Sequence, residues 1–239
     1  MKSCTDFEVG EVLLLQKPLY WTSFDLVNKV KMAIRHHCGL KKLKVGHAGT
    51  LDPLATGLMI VCTGKATRRV EEFRDLDKKY TAVIRFGQTT PSFDLESEVD
   101  GEYPAGHITE EMVRASLRDF LGEHDQEPPL FSAKFVDGKR AYELARKKID
   151  RKLDKVKVVF HELELLSFTG ADATVRIVCS KGTYVRAFAR DLGLALGSGG
   201  HLIALVRNGI GDYTLEKALT VEELKFILEN LKQSDNSFV

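Results

Sequence analysis

The sequence predicts an α+β protein with a mixed, largely antiparallel central sheet flanked by helices. Apolar runs and amphipathic stretches are interspersed without the strand–helix–strand rhythm of a parallel sheet. Two strand-like runs, Val156 to Phe168 and Thr174 to Ser180, are joined by a Thr169-Gly170 turn. The 239 residues are 44% hydrophobic and 29% charged, which suits a packed soluble chain and argues against disorder. That length fits one domain carrying a sizeable insertion.

The elements follow in order. Glu11 to Gln16 reads as a short buried strand, ended by Lys17-Pro18 because proline removes a ladder donor. Ser23 is the expected N-cap of a helix with Val27, Val30 and Ile34 on one face, closed at Gly39. Leu58 to Thr63 reads as a second buried strand, followed by a helix from Ala66 to Phe73. Lys79 to Gln88 alternates as a strand should. Thr109 caps a helix whose first turn holds Glu110 and Glu111, where the helix dipole favours them. Pro128-Pro129 marks a break, with one short helix, Ala141 to Lys148, in the basic region beyond it. A helix from about Arg186 to Leu196 stops at a glycine loop, and Leu202 to Val206 is a strand. Thr220 and Glu223 form a capping box for the last helix.

Charge is balanced overall, with 35 Lys+Arg against 34 Asp+Glu, but unevenly placed. No acid lies between Asp25 and Asp52, a stretch holding Lys29, Lys31, Arg35, Lys41, Lys42 and Lys44. Lys134 to Lys157 is strongly basic and Pro91 to Glu127 strongly acidic. A chain so divided can hold a polyanion on one side without being basic overall, although lysine-rich stretches are more often solvated helix faces.

Several classes are disfavoured. The apolar runs are too short to cross a bilayer and the start is not a secretory signal, so a cytoplasmic protein is expected. Cysteines 4, 38, 62 and 179 are too scattered for a metal-type pair or a disulfide framework. Gly64-Lys65 fails as a phosphate loop because Met59 stands where its first glycine should be. His36 and His37 are adjacent on a helix and point apart, so no metal site is expected.

The run Gly46-His-Ala-Gly-Thr-Leu-Asp-Pro-Leu-Ala-Thr-Gly57 stands out. Three glycines and a proline fix an irregular backbone on which His47 and Asp52 are the only ionisable side chains. Most Asp-Pro pairs merely cap a turn, yet this loop follows a basic stretch suited to phosphates. In a second cluster, Lys181-Gly-Thr-Tyr-Val-Arg186, extended chain would project Tyr184 and Arg186 to one side. An arginine can pair with an aspartate, and a tyrosine gives a flat face for a base.

At these residues the sequence closely resembles the bacterial tRNA pseudouridine-55 synthase family, TruB. The matching blocks are the Gly46 to Gly57 run, Lys79-Tyr80, Ser132-Ala-Lys134, the Lys181 to Arg186 run and Gly200-His-Leu-Ile-Ala-Leu205, in the family order. The resemblance implies the pseudouridine synthase fold and an isomerase that acts on the T-arm of tRNA without cofactor or metal. It implies that Asp52 is catalytic, that Tyr80 stacks on the target uracil and that Arg186 pairs with the aspartate. His47 would fill the space left by flipped-out bases, Tyr184 and Leu205 would line the pocket, and Lys17 would lie near the site. A base inside a stacked loop must be flipped before chemistry can reach it. The basic insertion at about 128–155, including Lys134, would clamp the RNA. Residues 1–239 are then expected to form a single catalytic domain, without the family's C-terminal RNA-binding domain, acting as a monomer with no protein partner implied. The segment Pro91 to Asp100 departs from the family pattern, so no role carries over to Asp94. Two competing readings are an RNA-folding protein in which catalysis is secondary and, more distantly, a non-RNA enzyme using His47 and Asp52.

Overall fold

The structure is a computed structural model that describes residues 3–130, 135–136, 139–140 and 153–235. A short helix α1 (Cys4–Val9) precedes strand β1 (Val12–Lys17), helix α2 (Ser23–Cys38) and strands β2 (Val45–His47) and β3 (Ala55–Thr63). A 3₁₀ stretch (Gly64–Arg69) runs into α3 (Val70–Asp75), followed by β4 (Lys78–Phe86), β5 (Gln88–Thr89) and β6 (Gly101–Glu102). Next come α4 (Glu110–Asp119), β7 (Gly122–Gln126), β8 (Phe135–Val136) and β9 (Lys139–Arg140). The rest is β10 (Val156–Phe168), β11 (Asp172–Cys179), α5 (Val185–Ala195), β12 (Gly200–Ile210), β13 (Tyr213–Thr214) and α6 (Val221–Asp235).

The main sheet has the order β1-β3-β12-β4-β11-β10-β7, with β2 added to β3 and β13 to β12. The pairs β1·β3, β2·β3, β7·β10, β10·β11 and β12·β13 are antiparallel. The expected mixed, largely antiparallel α+β architecture is the one found.

The chain forms two compact units, residues 1–79 with 206–239 and residues 80–205. In the first unit, Leu58, Ile60 and Cys62 of β3 form a core with Ala48, Ala66, Phe73 and Ile210. Helix α2 buries Leu26, Val30 and Ile34, and α6 packs on it with Leu224 and Leu228 buried. In the second unit, β10 lies between β7 and β11. An aromatic cluster of Phe120, His124, Phe160 and Phe188 joins α4, β7, β10 and α5. Such edge-to-face packing adds to the burial of large apolar rings.

Several local expectations are corrected. Thr22, not Ser23, caps α2, because Thr22 and Asp25 form a reciprocal capping box. That releases the Ser23 hydroxyl, which bonds the Leu51 backbone at both its N–H and its carbonyl. The expected helix from Ala66 to Phe73 is half 3₁₀ and half α-helix. Strand β7 was not expected, since its sequence Gly-Glu-His-Asp-Gln has no apolar alternation; it is recruited by backbone pairing to β10. Strand β12 extends from Gly200 to Ile210, well beyond the expected Leu202 to Val206. Cys4 and Cys38 form a disulfide, contrary to the spacing argument, because α1 turns the N-terminal residues back toward the end of α2. The expected helix at Ala141 to Lys148 lies outside the described residues. No helix among the described residues is long and apolar enough to cross a membrane.

Candidate active site

In the first unit, the Gly46 to Gly57 run is less loop than the sequence suggests. Its start is β2 and its end is β3, paired with His47 opposite Val61. Between them lies a tight turn carrying Asp52.

Every carbonyl from Gly49 to Pro53 is held by a donor. Buried Arg207, on β12, donates from Nη2 to Gly49 (3.1 Å), from Nη1 to Thr50 (3.3 Å) and from Nε to Leu58 (2.7 Å). Ser23 Oγ donates to Leu51 (3.0 Å), and the Ala55 N–H donates to Asp52 (3.1 Å). The Pro53 carbonyl accepts from the Tyr20 N–H (2.8 Å) and from Lys17 Nζ (3.5 Å). Lys17 is fully buried and also donates to Trp21 (2.6 Å) and Pro18 (3.1 Å). Two buried cations thus bind backbone dipoles around one turn, and charge-assisted bonds of this kind are the stronger class.

The electrostatics follow from that burial. Loss of hydration pushes the Lys17 ammonium down to about 8; the Asp52 charge raises it and the Arg207 charge lowers it further. Burial also pushes His47 below the usual imidazole range, with the Gly49 backbone acting against the shift. Its Nδ1 is buried and has no hydrogen-bond partner among the described residues.

Close approach also dictates a glycine. Gly57 has φ +113°, and a Cβ there would stand 2.4 Å from the Arg207 carbonyl oxygen.

The second unit holds the other candidates. Tyr184 is the extended N-cap of α5, so Arg186 lies within the first helical turn and the expected extended arrangement of the two is wrong. The Tyr184 backbone is clasped by Gln126, which accepts from its N–H (2.8 Å) and donates to its carbonyl (3.2 Å). Arg186 is 4% exposed, donates to the Ser92 carbonyl (3.1 Å) and faces Asp94 at 3.6 Å. Asp94, 3% exposed, also accepts the Glu96 N–H, while Thr90 and Ser92 hydroxyls donate to its carbonyl. Tyr80 on β4 and Leu205 on β12 are both buried.

The structure therefore gathers Lys17, His47 and Asp52 in one unit and Tyr80, Tyr184, Arg186 and Leu205 in the other. Lys134 lies outside the described residues. Sequence reasoning missed Arg207, Ser23 and Asp94. Asp94 sits in the segment that departs from the family pattern, and the reach of Arg207 across about 150 positions leaves no local trace. No cluster of three or more metal-ligating side chains occurs among the described residues.

Comparisons with known proteins agree with this architecture. A chain in the crystal structure of a Cbf5-Nop10-Gar1 complex has a TM-score of 0.72 and 28% identity, over 97% of this chain and 58% of that one. A chain from the archaeal box H/ACA sRNP Nop10-Cbf5 complex has a TM-score of 0.67 and 24% identity, over 97% and 57%. The chain thus spans little more than half the length of those solved relatives. The fold is that of the pseudouridine synthases.

The family model for the TruB pseudouridylate synthase N-terminal domain matches residues 35–185, and that for the tRNA pseudouridylate synthase B C-terminal domain matches 186–238. The tRNA pseudouridine synthase B of Phocaeicola vulgatus is 56% identical over 91% of this chain and 92% of its own. That of Parabacteroides distasonis is 55% identical over 94% and 95%. That of Flavobacterium johnsoniae is 47% identical over 89% and 93%. The chain belongs to the TruB family of pseudouridylate synthases.

Proposed function

We propose that this chain is a tRNA pseudouridine synthase that isomerises uridine 55 in the T-loop, with Asp52 as its essential carboxylate. The reaction breaks the bond from ribose C1′ to N1 of uracil and makes one from C1′ to C5. The C5 proton is released and N1 gains one, so the product is an isomer and nothing external is consumed. The observation that carries this reading is the Asp52 turn. Five consecutive carbonyls are held by donors, so a carboxylate is presented from a backbone organised before substrate arrives. The high identity to proteins named tRNA pseudouridine synthase B supports the substrate class.

In this reading Tyr80 stacks on the flipped uracil, Tyr184 and Leu205 line its pocket, and Arg186 neutralises charge beside the carboxylate. His47, kept neutral by its burial, occupies the space vacated by the base. Lys17 braces the turn, and the basic insertion with Lys134 holds the T-arm. The two units act as one catalytic domain, working as a monomer in the cytoplasm. The test is incubation with unmodified tRNA and chemical mapping of pseudouridine. A single new pseudouridine at position 55, absent when that position is cytidine, is expected; no pseudouridine, or pseudouridine elsewhere, overturns the assignment.

A further inference from the structure

Among the described residues, two that are not glycine have a left-handed backbone, Tyr20 at φ 66° and Phe93 at φ 60°. Such conformations are strained and persist where surroundings over-determine them, often at functional sites. For Phe93 the surroundings account for it. Its carbonyl accepts the Leu202 N–H, its N–H donates to Thr90, and the Arg190 guanidinium lies 4.7 Å from its ring centroid. Tyr20 is equally well fixed from below, by its N–H on Pro53 and by buried Lys17 on the carbonyls of Pro18 and Trp21. Above, however, Tyr20 is 74% exposed. The chain holds an aromatic residue in a disfavoured conformation, one hydrogen bond from the residue after Asp52, and leaves it bare to solvent.

Its surroundings extend the pattern. Phe24, in the first turn of α2, is 72% exposed. Asn28 and Lys31 follow it on the same helical face at steps of four and three residues, and Asn28 is also exposed. Two exposed aromatic side chains, followed on α2 by a polar and then a cationic one, suit a nucleic-acid strand, with bases on the rings and phosphate on the ammonium.

We infer that Tyr20, supported by exposed Phe24 four residues further on, is a stacking platform for an unpaired base of the RNA substrate, next to the nucleotide acted on at Asp52. The inference rests on the RNA-modifying reading of the same site and adds a substrate-binding residue to it. The platform is organised before binding, so little ordering is lost when a base lands on it.

The test uses Tyr20→Gly, Tyr20→Phe and Phe24→Ser in the full chain, with a T-stem-loop RNA. Tyr20→Gly removes the ring while relieving the backbone strain, so its melting temperature should equal or exceed that of the wild type. Its dissociation constant and KM should rise about tenfold, the size expected for one lost base–aromatic stack, with kcat at saturating RNA within about twofold. Tyr20→Phe keeps the ring and should bind as the wild type does, and Phe24→Ser should weaken binding less than Tyr20→Gly. Affinity is measured separately from turnover. A wild type that binds RNA without isomerising it would overturn the proposed reaction and leave the Tyr20 comparison readable. Wild-type RNA affinity in Tyr20→Gly, or no RNA binding by the wild-type chain, overturns the platform.

Discussion

The turn around Asp52 and the loop around Asp94 each carry an aspartate and are each met by a buried arginine from elsewhere in their unit, but they are built on opposite plans. Around Asp52, Arg207 and Lys17 direct their donors to backbone carbonyls. The carbonyls of that turn are therefore held by donors from β1, α2 and β12. Around Asp94, the arginine faces the carboxylate itself, and both side chains are almost fully buried. There the carboxylate is part of the structure. Under the proposed reaction Asp52 is presented from a backbone whose carbonyls are all held, whereas Asp94 meets a buried guanidinium with its own oxygens.

This contrast can be broken by mutation. Asp52→Asn should reduce turnover by about ten-thousandfold, ~5.5 kcal/mol of barrier, because an amide cannot replace a reacting carboxylate. Its melting temperature should fall less than that of Asp94→Ala, because the carbonyls of the turn keep their donors, and an equal drop would erase the contrast. Asp94→Ala should do the reverse in kind, lowering unfolding free energy by about 3–5 kcal/mol in a denaturant titration, since it strands a buried guanidinium. Asp94→Ala that is as stable as wild type would erase the distinction between the two loops. Arg207→Met should cost about 3 kcal/mol of stability, as three carbonyls lose their donor in a buried turn. It should also depress turnover even where the protein remains folded, because Asp52 would be less well placed.

The smallest effect concerns Lys17. Its pKa of about 8 in the folded protein lies below the 10.5 of an ordinary lysine. Between those values the unfolded chain binds more protons, so this group's contribution to stability should increase as pH rises through that window. Lys17→Met should remove that increase, measured by urea unfolding at several pH values. A slope unchanged in the variant would show that another group titrates there.

Much of the fold was legible because its signals are local. The hairpin of β10 and β11 and the capping box at Thr220 and Glu223 are read from a few neighbouring residues, and the structure keeps them. The glycine-rich run around Asp52 was legible for the same reason. What was not legible depends on distance. Arg207 looks like any charged residue in a strand until β12 is laid beside β3, and Cys4 meets Cys38 only after α1 and α2 have formed. Strand β7 carries no apolar pattern because it is recruited by pairing, not by burial of alternate side chains. The Tyr184–Arg186 expectation failed because the helix starts at Val185, leaving Tyr184 as its extended N-cap and winding Arg186 into the first turn. Ser23 was recognised as a helix-start residue, but the neighbouring threonine took the cap and freed it for the Asp52 turn.

The contact between Gly57 and Arg207 bears on inheritance as well as on packing. Any missense change at codon 57 adds a side-chain carbon, and that carbon would fall on the Arg207 main chain, not on a flexible tip that could move aside. A change of residue at 207 leaves that backbone where it is, so no second substitution there can make room. Position 57 thus has no neutral neighbour in sequence space. Lineages carrying this turn should drift freely at exposed Thr50 while codon 57 changes only silently.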